Sequence, residues 1–230
     1  MNTQQEAYAE LFLVDKPLEW TSFDVVKKIR NTLKIKKVGH AGTLDPLATG
    51  LLIVCAGKMT KQIENFMGKE KEYTGTFVLG KTTESFDLEK PVLEVADPSH
   101  LSLEDIQQAA KQLTGDILQV PPMHSAVKVD GKRVYESARA GKSLKLDPRP
   151  VQVREFEITR FEGNEVDFRI SCSKGTYIRS LARDLGDILQ VGAYLKSLCR
   201  TRIGEFHLSE AYSLPELIET IKSRHTHENL

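Results

Sequence analysis

No run in this sequence approaches the roughly 20 consecutive apolar residues needed to cross a bilayer. The polar start, MNTQQEAYAE, lacks the apolar core of a secretory signal. Membrane insertion and export are not expected, and the chain reads as cytoplasmic. Cysteine is scarce. Cys55, Cys172 and Cys199 are odd in number and share no metal-ligand spacing, which argues against a disulfide framework and against zinc. Internal repeats, low-complexity tracts and Pro/Ser-rich linkers are missing too, so the 230 residues are expected to form one domain. Net charge is also missing, with 32 basic residues balancing 32 acidic ones; taken alone, that speaks weakly against a nucleic-acid partner.

The charges that are present are not evenly spread. Residues 27–37, KKIRNTLKIKK, hold six basic side chains and no acidic one. Residues 128–154 hold eight basic against three acidic, and 174–202 hold six against two. The compensating acid sits in 84–116, with eight carboxylates against two lysines. Three basic blocks suit a binder of phosphate backbone about as well as they suit an ordinary solvated surface. An apolar content of 40% is enough for a substantial core.

Periodicity supplies the elements. LFLVDKP at 11–17 reads as a strand closed by Lys16-Pro17. Thr21 or Ser22 caps a helix with Val25/Val26, Ile29 and Leu33 inward. LLIVCAG is a buried strand, and Thr60 is expected to cap a short helix carrying Ile63, Phe66 and Met67. KEYTGTFVLG is a strand with Tyr73, Phe77 and Leu79 on one face and a gap at Gly75. Ser102 and Asp105 form a capping-box variant before the stripe Leu103, Ile106, Ala110 and Leu113, closed by Gly115. SAVKVDGKRVYE is a hairpin around Asp-Gly whose second arm turns helical by YESARAG. VQVREFEITRFEGNEVDFRISCS is a longer hairpin around Gly163-Asn164. A helix after KGTY carries Ile178, Leu181, Ala182, Leu185 and Ile188/Leu189 in register, and a last one spans 214–223 before a fraying RHTHENL. Helices and hairpins without regular βαβ alternation imply an α+β fold on a largely antiparallel or mixed sheet flanked by helices.

One stretch, GHAGTLDPLATG at 39–50, is rich in turn formers and poor in core residues. Gly39, Gly42 and Gly50 permit positive φ, and Pro46 stiffens the chain after Asp45. A turn-forming or capping aspartate fits these residues. As chemistry, the loop offers too few ligands for a metal, no Lys-Ser/Thr ending for a phosphate loop and no nucleophile elbow for a Ser-His-Asp site. What remains for a solitary carboxylate is nucleophile, general base or counter-ion, and the lack of a second carboxylate nearby favours nucleophile.

GHAGTLDPLATGLL resembles the signature of the TruB family of tRNA pseudouridine synthases. Further segments resemble that family in the right order. They are LFLVDKPLEWTSFDVVKKIR (with Glu19 where glycine is usual), KEYTGTFVLGKTTESFD, QVPPMHSAVKVDGKRVYESARAG (with His124 where an aromatic residue often sits), CSKGTYIRSLARDLG and YLKSLCRTRIGEF. The match runs from about residue 10 to about residue 210.

The resemblance implies a pseudouridine synthase catalytic fold and a cofactor-free, metal-free isomerase acting on tRNA, with uridine 55 of the T-loop as target. It implies Asp45 as nucleophile, Tyr73 stacking on the target base and assisting proton removal from C5, and Arg179 paired with Asp45. His40 is implied to contact RNA near the flipped nucleotide and Leu198 to wall the uracil pocket. Tyr177, Lys16 and Lys174 are implied to line the site or to contact phosphate. The expected partner is the T-arm stem-loop of tRNA, with no obligatory protein partner and a monomeric enzyme. About 20 residues follow the last motif, so the additional RNA-binding PUA domain of many family members is not expected. Two other readings stay open: a catalytically silent RNA-binding or RNA-folding protein on the same scaffold, and a hydrolase with an aspartyl nucleophile. The stretch 121–150 is expected to be mobile without RNA.

Overall fold

A computed structural model describes residues 8–123, 128–129, 132–133 and 146–227. Described residues up to Tyr73 and from Leu198 onward form one compact unit, and Thr74–Ser197 form a second.

In the first unit, β3 (Ala48–Gly57) is the central strand and is buried along nearly all its length, as a strand covered on both faces must be. Strand β1 (Ala9–Lys16) runs antiparallel along one edge of it, from Ala9 opposite Gly57 to Lys16 opposite Gly50. Its other edge is shared. β2 (Val38–His40) pairs antiparallel at one end, and the last part of β12 (Ala193–Ile203) pairs parallel at the other, with Leu198 opposite Ala48 and Arg200 opposite Gly50. β14 (Tyr212–Ser213) lies parallel to β1, and β13 (Phe206–His207) closes on the end of β12.

Helix α1 (Ser22–Leu33) begins with Thr21 as cap, whose hydroxyl accepts from the Asp24 N–H while the Asp24 carboxylate accepts from the Thr21 N–H. Its Val25, Val26, Ile29 and Leu33 pack with Leu217, Ile218 and Ile221 of α5 (Leu214–His227) onto Phe12, Val14, Leu52 and Val54. The alternate residues of β3, Leu51, Ile53 and Cys55, face Ile203 with Met59, Ile63 and Phe66 on the other side. This second layer comes from a 3-10 helix (Lys58–Gln62) and α2 (Ile63–Gly68). Thr60 lies inside the 3-10 helix and donates to Gly57 O, so the expected cap is corrected. Helix α5 runs to His227, four residues past its expected end, because nothing in SRHTH breaks a helix.

In the second unit the strand order is β4-β11-β10-β7, formed by β4 (Lys71–Leu79), which enters from the first unit, β11 (Glu165–Cys172), β10 (Arg149–Glu162) and β7 (Gly115–Gln119). Phe77 and Phe168 stack at 4.1 Å between centroids, with Phe156 edge-on to both. Two small antiparallel pairs add β5 (Lys81–Thr82) with β6 (Leu93–Glu94), and β8 (Lys128–Val129) with β9 (Lys132–Arg133), the strands expected on either side of the Asp-Gly pair, which itself lies outside the described residues.

Helix α3 (Leu103–Gln112) has the expected Ser102/Asp105 box. Its inward face is Ile106, Ala109 and Ala110, and Leu103, expected in the apolar stripe, is exposed. Helix α4 (Ile178–Ile188) follows KGTY as predicted. Gly75 leaves no gap: a Cβ there would stand 2.2 Å from Ser197 O, so glycine admits a neighbouring backbone. Parallel and antiparallel pairings coexist beside helices, and the fold is α+β with a mixed sheet. The expected helical turn at YESARAG, His124 and most of the expected mobile stretch 121–150 lie outside the described residues.

Candidate active site

Asp45 sits on the connection between β2 and β3, half-buried, with both flanks fastened. Upstream, Ala41 N–H donates to Ile53 O at 2.9 Å and Gly42 turns the chain with φ +92°. Leu44 is buried, and its N–H donates to Ser22 Oγ at 2.9 Å while that hydroxyl donates back to Leu44 O at 3.2 Å. Downstream, Pro46 O accepts from the Glu19 N–H at 2.8 Å, and Asp45 O accepts from Ala48 N–H at 3.0 Å. The first turn of α1 and the turn before it therefore hold the residues on either side of Asp45. Glu19 reaches this bond in a left-handed conformation, φ +66°, at the position where the resemblance led us to expect glycine.

Two buried cations also hold backbone in this region. Lys16 has no exposed surface, and its Nζ donates to the carbonyls of Pro17 (2.9 Å), Trp20 (2.6 Å) and Pro46 (3.4 Å). Arg200, also fully buried, donates from Nε to Leu51 O at 2.8 Å and from Nη2 to Gly42 O at 3.1 Å. Burial lowers the Lys16 ammonium to about 8; the attraction of Asp45 works against that shift, and the repulsion of Arg200 adds to it. At neutral pH the ammonium is still mostly protonated, as its three carbonyl acceptors require. In this arrangement the Lys16 ammonium is committed to the loop's backbone carbonyls.

His40 ends β2. Its Nδ1 is buried and has no hydrogen-bond partner among the described residues, and burial, followed by the charge of Arg200, holds the imidazole below its ordinary range. Leu198 is half-buried opposite Ala48, and Tyr73 is buried on β4. Of the three loop glycines, Gly42 and Gly50 have positive φ and Gly39 does not. Gly39 serves close packing instead, since a Cβ there would lie 2.8 Å from Ile63 Cδ1. Asp45, His40, Lys16, Tyr73 and Leu198 all belong to the first unit.

Arg179, Tyr177 and Lys174 belong to the second unit. Arg179 is buried, with Nε 3.6 Å from Asp87 Oδ2 and Nη1 donating to Ser85 O at 3.4 Å. The segment GKTTESFD explains this arrangement. Ser85 Oγ donates to Asp87 Oδ1 at 2.6 Å, Glu89 N–H donates to the same oxygen at 3.0 Å, and Thr83 Oγ1 donates to Asp87 O at 2.6 Å. Asp87 is thereby presented to the guanidinium. Tyr177, at the start of α4, is held through its backbone by the buried amide of Gln119, which accepts from its N–H at 2.8 Å and donates to its O at 3.2 Å. Lys174 is exposed.

Sequence reasoning missed Arg200, Ser22 as a clamp, Asp87 and Gln119. Arg200, Asp87 and Gln119 stand within segments that carried the family resemblance, which was the one signal available for them.

Among the described residues no group of three or more His, Cys, Asp or Glu is placed to hold a metal ion, and no helix is long and apolar enough to cross a membrane. What the arrangement offers chemically is one accessible carboxylate on a loop that cannot readily shift, suited to attack on a substrate carbon or to proton transfer.

The family model for the N-terminal domain of TruB family pseudouridylate synthases matches residues 30–178. The tRNA pseudouridine synthase B of Flavobacterium johnsoniae is 45% identical over 229 residues, covering 96% of this chain and 100% of the relative. That of Phocaeicola vulgatus is 46% identical, covering 95% and 96%. Among solved structures, a chain of a Cbf5-Nop10-Gar1 complex superposes with a TM-score of 0.72 at 30% identity, covering 94% of this chain and 55% of that one. A chain of an H/ACA ribonucleoprotein bound to a substrate RNA containing 2'-deoxyuridine gives 0.69 at 28%, covering 94% and 54%. The present chain thus spans about half the length of these two structural relatives.

Proposed function

The chain belongs to the TruB family of pseudouridylate synthases, and we infer from that membership that it isomerises uridine to pseudouridine in tRNA. The observation that carries this reading is the similarity to tRNA pseudouridine synthase B along the whole length of the relative. Within the reaction we propose Asp45 as the nucleophile and uridine 55 of the T-loop as the target. The N1–C1′ bond breaks, the uracil turns over, a C5–C1′ bond forms, the C5 proton leaves and N1 gains a proton, so atoms balance without a cofactor. Attack at ribose C1′ and at pyrimidine C6 both fit a carboxylate nucleophile. The fastened loop supports the assignment, because an extruded base meets a carboxylate whose position is already fixed.

Extruding the base costs a few kcal/mol, which RNA contacts must offset. We assign stacking on that base and assistance at C5 to Tyr73, the counter-charge for Asp45 to Arg179 and the pocket wall to Leu198. His40 and Tyr177 contact RNA near the target, and Lys174 contacts phosphate. Lys16 holds the loop. The enzyme is proposed to act in the cytoplasm, as a single monomeric catalytic domain, on the T-arm of tRNA.

The test is an unmodified tRNA transcript carrying tritium at uridine C5. The expected result is tritium release without free uracil. Free uracil would instead indicate an N-glycosidic hydrolase, and intact binding without release a silent RNA binder. Asp45→Asn is expected to abolish release while RNA binding persists; full turnover by that variant refutes the nucleophile assignment.

A further inference from the structure

From the end of β1 into the first turn of α1 the chain exposes apolar side chains. Leu18 is 54% exposed, Trp20 37% and Phe23 59%. An open groove of about 400 Å³ runs from Trp20 and Glu19 past Asp24 to Lys27, Lys28 and Asn31. From Asn31 a second groove of about 550 Å³ continues along the same helix to Lys34 and Lys36. Charge is graded along this track. The two carboxylates lie at the aromatic end, where Asp24 is occupied by the Thr21 cap, and the lysines lie beyond. Lys27, Lys28 and Lys36 are exposed and make no ion pair among the described residues.

An acidic end with a half-exposed indole repels phosphate but accepts an uncharged ring and its N–H edge. A basic end attracts the backbone on either side of that ring. The track is also rigidly tied to the reaction centre. Trp20 O accepts from Lys16, Glu19 N–H donates to Pro46 O, and Ser22 exchanges two hydrogen bonds with Leu44. A group held at Trp20 is therefore fixed relative to the loop that carries Asp45.

We propose that this track is a second RNA site, in which an unpaired base of the substrate other than the target uridine stacks on Trp20 while its neighbouring phosphates lie along Lys27 and Lys28. The inference rests on the reading of the chain as an RNA-modifying enzyme and adds to it a site that selects RNA by an unpaired base. Loops and bulges present such bases, whereas paired stems do not.

Trp20 is the only tryptophan in the chain, so its fluorescence reports on the site directly. The full chain is titrated with the unmodified tRNA transcript, and binding is followed in parallel on filters. Saturating RNA is expected to quench the emission. Trp20→Ala is expected to raise the Kd about fivefold or more, the ordinary size of a base–aromatic stacking loss. Single-turnover tritium release at saturating RNA is expected to stay within about twofold of wild type, because binding and not chemistry is removed. Trp20→Phe, which keeps a ring, is expected to recover most of the affinity. Unchanged fluorescence at saturation, unchanged affinity in Trp20→Ala, or a phenylalanine variant no better than alanine each overturns the proposal. Tritium release without quenching sinks this site and leaves the catalytic reading standing; quenching without release does the reverse.

Discussion

Lys16 shows how a charged residue becomes part of a scaffold. Its ammonium lies under the turn that leads into α1, and three carbonyls replace its water. Lys16→Met would keep the stem's packing and strip those carbonyls of their donor, at a cost of about 1–3 kcal/mol. Urea unfolding measures the loss. The pH dependence has a definite sign. Burial lowers Lys16 from its ordinary 10.5 to about 8 in the fold, so between those values the unfolded chain holds more protons than the folded one. Stability from this group therefore rises as pH rises from about 8 to 10.5, and Lys16→Met should flatten that rise relative to wild type. Glu19 is a second single-residue case. Its left-handed backbone costs roughly 1–2 kcal/mol, of which glycine would recover about half after its own entropy cost of about 0.5–1 kcal/mol. Glu19→Gly should raise the free energy of unfolding by up to about 1 kcal/mol, read as a higher urea midpoint at unchanged m-value. The sequence flagged Glu19 as unusual for the family, but only the hydrogen bond to Pro46 O says what the strained turn is for.

At the scale of elements, the helices with strong local signals were legible. The cap at Thr21, one of the two residues expected there, the capping box at Ser102 and the stripes of α1 and α4 appear where the sequence put them, because these features are local and need no knowledge of neighbours. Failures came where a neighbour decides. Leu103 continues a stripe on paper, yet in the fold it is exposed. Gly75 and Gly39 looked like gaps or turns and are points of close approach. Gly50 combines both roles. It has φ +97°, and a Cβ would stand 2.4 Å from Arg200 O and 2.7 Å from Arg200 N, in the parallel pairing of β3 with β12. Gly50→Ala is expected to cost about 3 kcal/mol or more, read as a loss in the urea midpoint. It should also slow tritium release, since Arg200 would lose its hold on Gly42 O.

At the scale of the molecule, zero net charge was a poor guide. Local charge density governs contact with RNA, and the 27–37 block leaves Lys27, Lys28 and Lys36 exposed. If these three neutralise phosphates, the logarithm of the RNA association constant should fall with the logarithm of salt with a slope of about −2 to −3 from them alone. A flat dependence on salt would rule out a backbone grip. What the sequence determined by itself was the α+β class, the starts of α1, α3 and α4 and the short list of roles open to Asp45, with family resemblance choosing among them. These depend on residue periods, caps and motif order, all of which are written along the chain. The tertiary structure alone decided that Lys16 and Arg200 hold carbonyls, that Ser22 clamps Leu44, that Asp87 faces Arg179 and that Trp20 stands exposed. Each of these pairs residues distant in sequence or turns on burial, and neither distance nor burial is encoded in a local pattern.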